Sequence, residues 1–368
     1  MEEKKQSSPV KVGIIGLGYW GPKLARNLHV LDGTSVAMAA DLRQDRFADF
    51  KEICPDAIVT NDYRDLLNGN LDAVVISTPV GTHYRLAKEA LLAGKHVLIE
   101  KPMSESSLQG EELVALARQK NLRLMVGHTF LYNAAVEAMR QVIQSGELGD
   151  IYYLNATRVN LGLLQRDINV MWDLAPHDLS IISFILDQDP IKASAIGGVY
   201  VSKSGGLPEV VYLTLRYRND VIANLRVSWL DPVKERRITV VGSKKMLVYD
   251  DLSEQKVMVY DKGVDVTDDR LAQAEFHVPF GNWAGPERRR KRRRTEAEFQ
   301  ASYRNRGETE VPIEWVEPLR AECEHFVNCI RDGLAPRSDG ESGLKIVKIL
   351  ESAQRSLVNG GLELLIEY

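Results

Sequence analysis

The first 130 residues alternate short, uniformly apolar runs with longer segments whose apolar residues recur at helical spacing. Val10 to Ile15, Val36 to Ala40, Ala57 to Thr60, Ala73 to Ile76, His96 to Ile99 and Leu122 to Val126 read as six strands. Ala73-Val74-Val75-Ile76 is apolar throughout, as a strand covered on both faces should be. Between these runs, Trp20 to Leu31 places Leu24, Leu28 and Leu31 on one helical face, with Pro22 in the first turn. Thr82 to Ala93 reads as a helix stopped by Gly94, and another begins near Ser104. Strands with intervening helices predict an α/β, doubly wound parallel sheet for residues 1–130.

From Asp150 the pattern changes. Ile151 to Asn160, Lys192 to Val201, Val210 to Tyr217, Val221 to Trp229, Arg237 to Val241, Met246 to Tyr249 and Lys256 to Tyr260 follow one another as strands. One helix, about Pro176 to Leu186, interrupts them. Residues 131–368 are therefore expected to form an α+β domain on an open, mainly antiparallel sheet. Periodicity fails over about 262–312, which reads as a long loop, and two helices close the chain at about 318–331 and 342–359. An open sheet leaves one face uncovered, and a large uncovered apolar surface is unusual in a monomer. A homodimer or homotetramer is expected.

Charged residues at 27% and apolar residues at 44% of 368 are ordinary for a globular protein. No apolar stretch reaches membrane-spanning length, and the first residues lack the apolar core of a signal peptide, so a cytoplasmic location is expected. Cys54, Cys323 and Cys329 make neither a disulfide framework nor a metal pattern and read as reduced, buried thiols.

Candidate chemistry begins at Gly16-Leu17-Gly18-Tyr19-Trp20-Gly21, directly after the first strand and before the first helix. In that context the motif is a dinucleotide fingerprint. Gly16 permits the tight turn, Gly18 lets a pyrophosphate approach backbone N–H groups, and Gly21 allows close helix–sheet packing. Asp41 ends the second strand, twenty residues past Gly21, where a carboxylate accepts from the adenosine ribose. It would repel a 2′-phosphate, which favours NAD over NADP, although Arg43 and Arg46 nearby oppose that preference. Ser77-Thr78-Pro79 follows the fourth strand as the floor of the nicotinamide half. His83 opens the next helix on this cofactor side, as a cap or packing group rather than a catalyst. Glu100-Lys101-Pro102 follows the fifth strand, so Lys101 projects into the crevice where such sheets bind ligands.

In the second domain the sole helix opens with Trp172-Asp173-Leu174-Ala175-Pro176-His177-Asp178. With Pro176 in its first turn, His177 sits at the helix N-terminus, where the dipole favours the neutral imidazole of a general base. Asp173 is expected either to fix the His177 tautomer or simply to cap the helix, and Asp178 to be a first-turn charge.

The glycine fingerprint, Glu100-Lys101-Pro102 and Asp173-x3-His177, in this order, resemble the Gfo/Idh/MocA oxidoreductases over nearly the whole chain. The resemblance implies NAD(P)-dependent hydride transfer at a ring carbon of a sugar or cyclitol. It casts His177 as the base, Lys101 as the group polarising the reacting oxygen, and Asp173 as the partner of His177. It also admits an NAD-dependent glycosidase working by transient oxidation, or a non-catalytic sugar sensor. Asn169-Val170-Met171-Trp172 replaces the small glycines common in the family, so the pocket wall differs.

Position suggests Tyr132, Asn133, Arg158, Asn160, Arg166, Asn169 and Trp172 as substrate contacts; each also reads as a structural polar group. An arginine among them suits a nucleotide-linked sugar. Arg288 to Arg294 are consecutive cations without interleaved aromatics. They read first as a solvated loop, then as an anion-binding element, and last as a contact with nucleic acid.

Overall fold

The computed structural model describes residues 8–162, 164–202, 206–266 and 301–368. The first sheet is built from β1 (Val10–Ile15), β2 (Thr34–Ala40), β3 (Ile58–Thr60), β4 (Ala73–Ile76), β5 (His96–Glu100) and β6 (Leu124–Gly127). Helices α1 (Gly21–His29), α2 (Phe47–Ile53), α3 (Arg64–Asn68), α4 (His83–Leu92) and α5 (Ser107–Gln119) connect them. The order β3-β2-β1-β4-β5-β6 is parallel throughout, a doubly wound Rossmann sheet. The strand order reverses between β1 and β4, which opens the ligand crevice above their carboxyl ends.

Helix α6 (Ala134–Gln144) follows, capped by the Asn133 side chain. The second sheet then forms from β7 (Ile151–Leu161), β8 (Lys192–Gly198), β9 (Val210–Arg216), β10 (Ile222–Ser228), β11 (Leu230–Gly242), β12 (Met246–Asp250), β13 (Val257–Val266), β14 (Ala301–Glu310) and β15 (Leu364–Leu365). Its order is β14-β13-β12-β11-β7-β10-β9-β8-β15, antiparallel except where β10 lies parallel to β7. One face carries Leu154, Ala156, Leu213, Leu225, Ile238 and Val240 into the core beneath α7 (Val170–Leu186). The opposite face differs from the apolar expanse expected of it. Thr214, Asn224 and Asn155 form a hydrogen-bonded row across β9, β10 and β7 at 2.9 and 3.4 Å, flanked by exposed Tyr153 and Tyr212.

Two boundaries also differ from the sequence pattern. Strands β13 and β14 pair antiparallel inside the segment read as loop, extending to Val266 and resuming at Ala301. Arg288 to Arg294 lie outside the described residues. Helix α7 begins six residues before Pro176, because Asn169 accepts from Met171 N and Trp172 N and the first turn is buried. Pro176 thus lies within the helix, where its missing N–H leaves one intrahelical bond unmade.

Helices α8 (Pro318–Asp332) and α9 (Gly340–Val358) return to the first domain. Leu319, Cys323, Phe326 and Val327 complete the core around α1. Ser338 covers the β6 edge, its carbonyl accepting from Val126 N at 2.8 Å and its hydroxyl donating to Val126 O at 2.7 Å. All three cysteines are buried and unpaired. No described helix is long and apolar enough to cross a membrane.

Candidate active site

The fingerprint turn forms one wall of a cleft of about 580 Å³ that also includes Asp41, Arg46, Ser77, Thr78 and Pro79. Gly16 has φ +95°, and a side chain there would strike Ser77 O at 2.8 Å. A Cβ on Gly21 would lie 2.0 Å from Gly16 O, so the first helix turn can close on the loop only with glycine. A Cβ on Gly18 would meet only the Arg46 guanidinium, at 3.3 Å, leaving its backbone open to the cleft. Asp41 is tied to this turn: Leu17 N donates to it at 2.6 Å, Arg43 N at 2.8 Å, and Arg46 pairs with it at 3.5 Å. An open glycine backbone with a carboxylate at the end of β2 fits a dinucleotide. Tyr19 and Trp20 meet edge to face at 5.4 Å on the rim, Tyr19 74% exposed.

His83 does not line this cleft. Its Nδ1 lies 2.9 Å from Pro102 O and its Nε2 2.8 Å from Thr78 O, so it ties the loop after β5 to the loop after β4. Burial pulls its pKa down, partly offset by those two carbonyls.

Beyond the floor, Lys101 reaches α7. Its ammonium donates to Asp173 O at 2.6 Å and pairs with Asp173 Oδ1 at 3.2 Å. Asp173 Oδ2 accepts from Trp229 Nε1 at 3.1 Å. The aspartate therefore anchors the lysine rather than fixing the His177 tautomer, and the helix cap is Asn169. His177 lies one turn along the same face, its ring against Phe130 at 5.2 Å. Its Nδ1 is covered, and neither ring nitrogen has a hydrogen-bond partner among the described residues. The eighth residue of a helix lies beyond the reach of the N-terminal dipole. Burial, followed by the Lys101 charge, holds the His177 pKa well below the usual histidine range. The imidazole is neutral for a different reason than its sequence position suggests.

Three further groups gather around Glu100, Lys101 and Asp173. His128, directly after β6, is 2% exposed with an unpartnered Nδ1, and burial and Lys101 push its pKa down to about 3. Its place at the carboxyl end of a parallel strand was the available signal. Trp229 and Glu322 carried none, since tertiary packing alone brings them here. Glu322 is fully buried, its Oε2 accepting from Thr129 Oγ1 at 2.9 Å and its Oε1 unpartnered among the described residues. Burial raises its pKa well above the usual carboxylate range, with Glu100 adding to the effect. Glu100 itself is pushed up to about 7 by burial, and it accepts weakly from Lys101 N at 3.3 Å.

Most residues proposed from position as substrate contacts are corrected by their partners. Arg158 is 3% exposed and forms a two-pronged pair with Asp178 at 2.8 and 2.9 Å, so Asp178 is a buried counter-ion rather than a first-turn charge. Tyr132 donates or accepts at Ser338 Oγ, 3.0 Å away, in the core. Asn133 and Asn169 are helix caps. Trp172 turns toward α9, where its Nε1 and the Asn169 amide both bond Gln354 Oε1, at 3.2 and 2.7 Å. Asn160 remains half-buried beside Gly162 and Trp229, and Arg166 remains exposed; neither has a hydrogen bond or ion pair within the described chain.

Comparison with known proteins agrees with this geometry. Residues 10–128 match the oxidoreductase family with an NAD-binding Rossmann fold, and residues 136–248 match the GFO/IDH/MocA C-terminal domain. A UDP-N-acetylglucosamine 3-dehydrogenase of Acidithiobacillus ferrooxidans is 28% identical, over 69% of this chain and 78% of that one. A myo-inositol 2-dehydrogenase of Thermotoga maritima is 25% identical, over 70% and 80%. The solved WlbA dehydrogenase of Bordetella pertussis, in complex with NADH and UDP-GlcNAcA, shares the fold at a TM-score of 0.77 and 17% identity, covering 98% of this chain and 99% of that one. With an NAD-binding first domain and the family's second domain built around one lysine-bearing crevice, the chain belongs to the Gfo/Idh/MocA oxidoreductase family.

Proposed function

We propose that the protein transfers a hydride between NAD and a ring carbon of a nucleotide-linked sugar, with Lys101 and His177 handling the hydroxyl proton. The observation that carries this reading is the Lys101 ammonium, held at 2.6 and 3.2 Å on Asp173 one helical turn from a neutral His177. Gly16, Gly18, Gly21 and Asp41 would hold the cofactor, which when bound supplies or accepts the hydride. Lys101 donates a hydrogen bond to the reacting oxygen, and His177 Nε2, without a partner among the described residues, takes the proton. Trp229 keeps Asp173 oriented and Phe130 braces the imidazole ring. Asn160 and Arg166 are the two remaining side chains from the proposed substrate set available to a ligand.

The nucleotide-linked class is favoured by the similarity to a UDP-N-acetylglucosamine 3-dehydrogenase and by exposed Arg166, which has no ion pair among the described residues. The test is NADH absorbance across a panel of UDP- and dTDP-sugars, free sugars and inositols. Turnover only of inositols would overturn the nucleotide-linked class, and aglycone release without net NADH would identify a glycosidase. Asp41 makes tighter binding of NAD than NADP the expectation, and equal affinities by calorimetry would refute it. Residues 1–130 are assigned cofactor binding, and the second domain substrate binding and assembly. A homodimer or homotetramer pairing through the Asn155–Asn224–Thr214 face is the expected assembly, and a monomer in sedimentation at micromolar concentration would count against it.

A further inference from the structure

We propose that Gly162 is a positioning residue for Lys101: its missing side chain admits the Trp229 indole, whose N–H fixes the carboxylate that holds the lysine. Every link in this arm is short. A Cβ on Gly162 would lie 2.7 Å from Trp229 Cδ1 and 3.3 Å from both Trp229 Cγ and Asn160 Nδ2. Trp229 Nε1, bonded to that same Cδ1, donates to Asp173 Oδ2 at 3.1 Å. Asp173 Oδ1 pairs with Lys101 Nζ at 3.2 Å, and the Asp173 carbonyl accepts from it at 2.6 Å. A methyl group at position 162 therefore presses on the ring atom next to the donor nitrogen.

The indole has little slack to absorb that push. Trp229 is 2% exposed, and its main chain is fixed on both sides. Its N–H donates to Glu209 O at 3.0 Å, and its carbonyl accepts from Gly162 N at 3.0 Å. The next residue, Leu230, pairs with Leu161. Gly162 itself lies outside the left-handed region, so alanine is allowed there by the backbone and its cost is one of contact. That cost falls on the ammonium. An ammonium has three donors; the Asp173 carbonyl and Oδ1 take two, which leaves the third for the reacting oxygen. The indole keeps Oδ2 away from the lysine. Freed of it, the carboxylate can turn and engage the ammonium with both oxygens, drawing the third donor away from a ligand. Only the role of Lys101 rests on the function proposed above.

NMR of the indole N–H groups reads the arm without substrate. Five tryptophans give five indole signals, and the one lost in Trp229→Phe belongs to Trp229. Gly162→Ala should shift that signal more than the other four and speed its exchange with solvent about tenfold, the worth of a hydrogen bond to a charged group. On the best substrate of the panel, Gly162→Ala and Trp229→Phe should each lower kcat about tenfold, with NAD affinity by calorimetry unchanged. The double variant should be no slower than either single one, because both break the same link. If thermal unfolding shows that Trp229→Phe does not fold, Asp173→Asn takes its place in the cycle. An unmoved Trp229 signal in Gly162→Ala overturns the proposal, as does a displaced indole with unchanged kcat or full additivity of the two substitutions. If nothing in the panel is turned over, the assigned function fails by itself, and Lys101→Ala decides the arm by NMR. A Trp229 signal that ignores the loss of the lysine would show that no link joins them.

Discussion

Helix α7 carries two cation–carboxylate pairs five residues apart, and they have opposite characters. Arg158–Asp178 is closed: both side chains are 3% exposed and two parallel hydrogen bonds lock the guanidinium to the carboxylate. Lys101–Asp173 is open: the side chains are 12% and 23% exposed, and the ammonium divides its donors between a carboxylate and a main-chain carbonyl. The first pair is shut away from solvent, and Arg158 lies over Phe130 at 4.4 Å, the ring that packs on His177. The second retains an ammonium proton that can be directed at a reacting oxygen. A buried ion pair beside a site is therefore not evidence of catalysis. What distinguishes the two is access: the closed pair is sealed from solvent, and the open one is not.

The largest expected effect sharpens that contrast. Lys101→Ala and His177→Ala should each lower kcat/KM about 10²–10⁴-fold on the best substrate of the panel, with NAD affinity by calorimetry nearly unchanged. If His177→Ala turns over normally while Lys101→Ala does not, the lysine is the base and the histidine only binds. Next, Arg158→Ala should cost about 3–5 kcal/mol in urea unfolding because it strands a buried carboxylate. Lys101→Ala should cost far less, since Asp173 keeps Trp229 and partial hydration. Replacing the closed pair together, Arg158→Met with Asp178→Leu, should recover most of the loss. Equal destabilisation by Arg158→Ala and Lys101→Ala would erase the distinction between the pairs.

Asp173→Asn keeps an acceptor for Trp229 but removes the charge partner of Lys101, so an intermediate loss of about tenfold in rate is expected. A rate unchanged from the parent would mean that the lysine is positioned without it. The pH dependence tests the burial of His177. Its lowered pKa means that the neutral base persists as pH falls through the ordinary histidine range, so the acid limb of kcat/KM should lie well below it. In Lys101→Ala the imidazole titration, followed by NMR, should move upward because a neighbouring positive charge has gone. An acid limb at the ordinary histidine value would show the ring to be solvated.

The smallest effect concerns Glu100 and Glu322, both with raised pKa values. For a carboxyl group raised on folding, the native state binds more protons, so stability falls as pH climbs from the ordinary carboxylate range through the folded-state value, about 7 for Glu100. Glu322→Gln removes one of these charges without changing shape. It should raise Tm under mildly alkaline conditions, by about 1–2 °C per kcal/mol, and leave it unchanged under mildly acidic ones. A uniform shift at both pH values would assign the effect to packing.

The first domain was legible because its signals are local. A glycine turn between a strand and a helix, an acid closing β2 and a lysine closing β5 each act where the backbone places them, and parallel strand ends all face one crevice. Second-domain candidates chosen by position fared differently. Arg158, Tyr132, Asn133, Asn169 and Trp172 are polar groups near a site, but their donors and acceptors are consumed by Asp178, Ser338, helix ends and Gln354. Sequence alone does not reveal which polar group a distant element will satisfy. Pro176 misled for the opposite reason: a local preference for the first helical turn was overridden by the Asn169 cap and a buried first turn.

By itself the sequence determined the doubly wound sheet, the mainly antiparallel second domain, the dinucleotide turn, and the places of Lys101 just after β5 and of Asp173 and His177 on one helix. These depend on periodicity and on short-range backbone geometry, which a chain carries in its own order. Only the tertiary structure decided that Asp173 pairs with the lysine, that burial rather than a helix dipole keeps His177 neutral, and that His128, Trp229 and Glu322 gather around Glu100, Lys101 and Asp173. Those properties arise from desolvation and from partners far apart in sequence, so they come into existence only when the two domains close on one another.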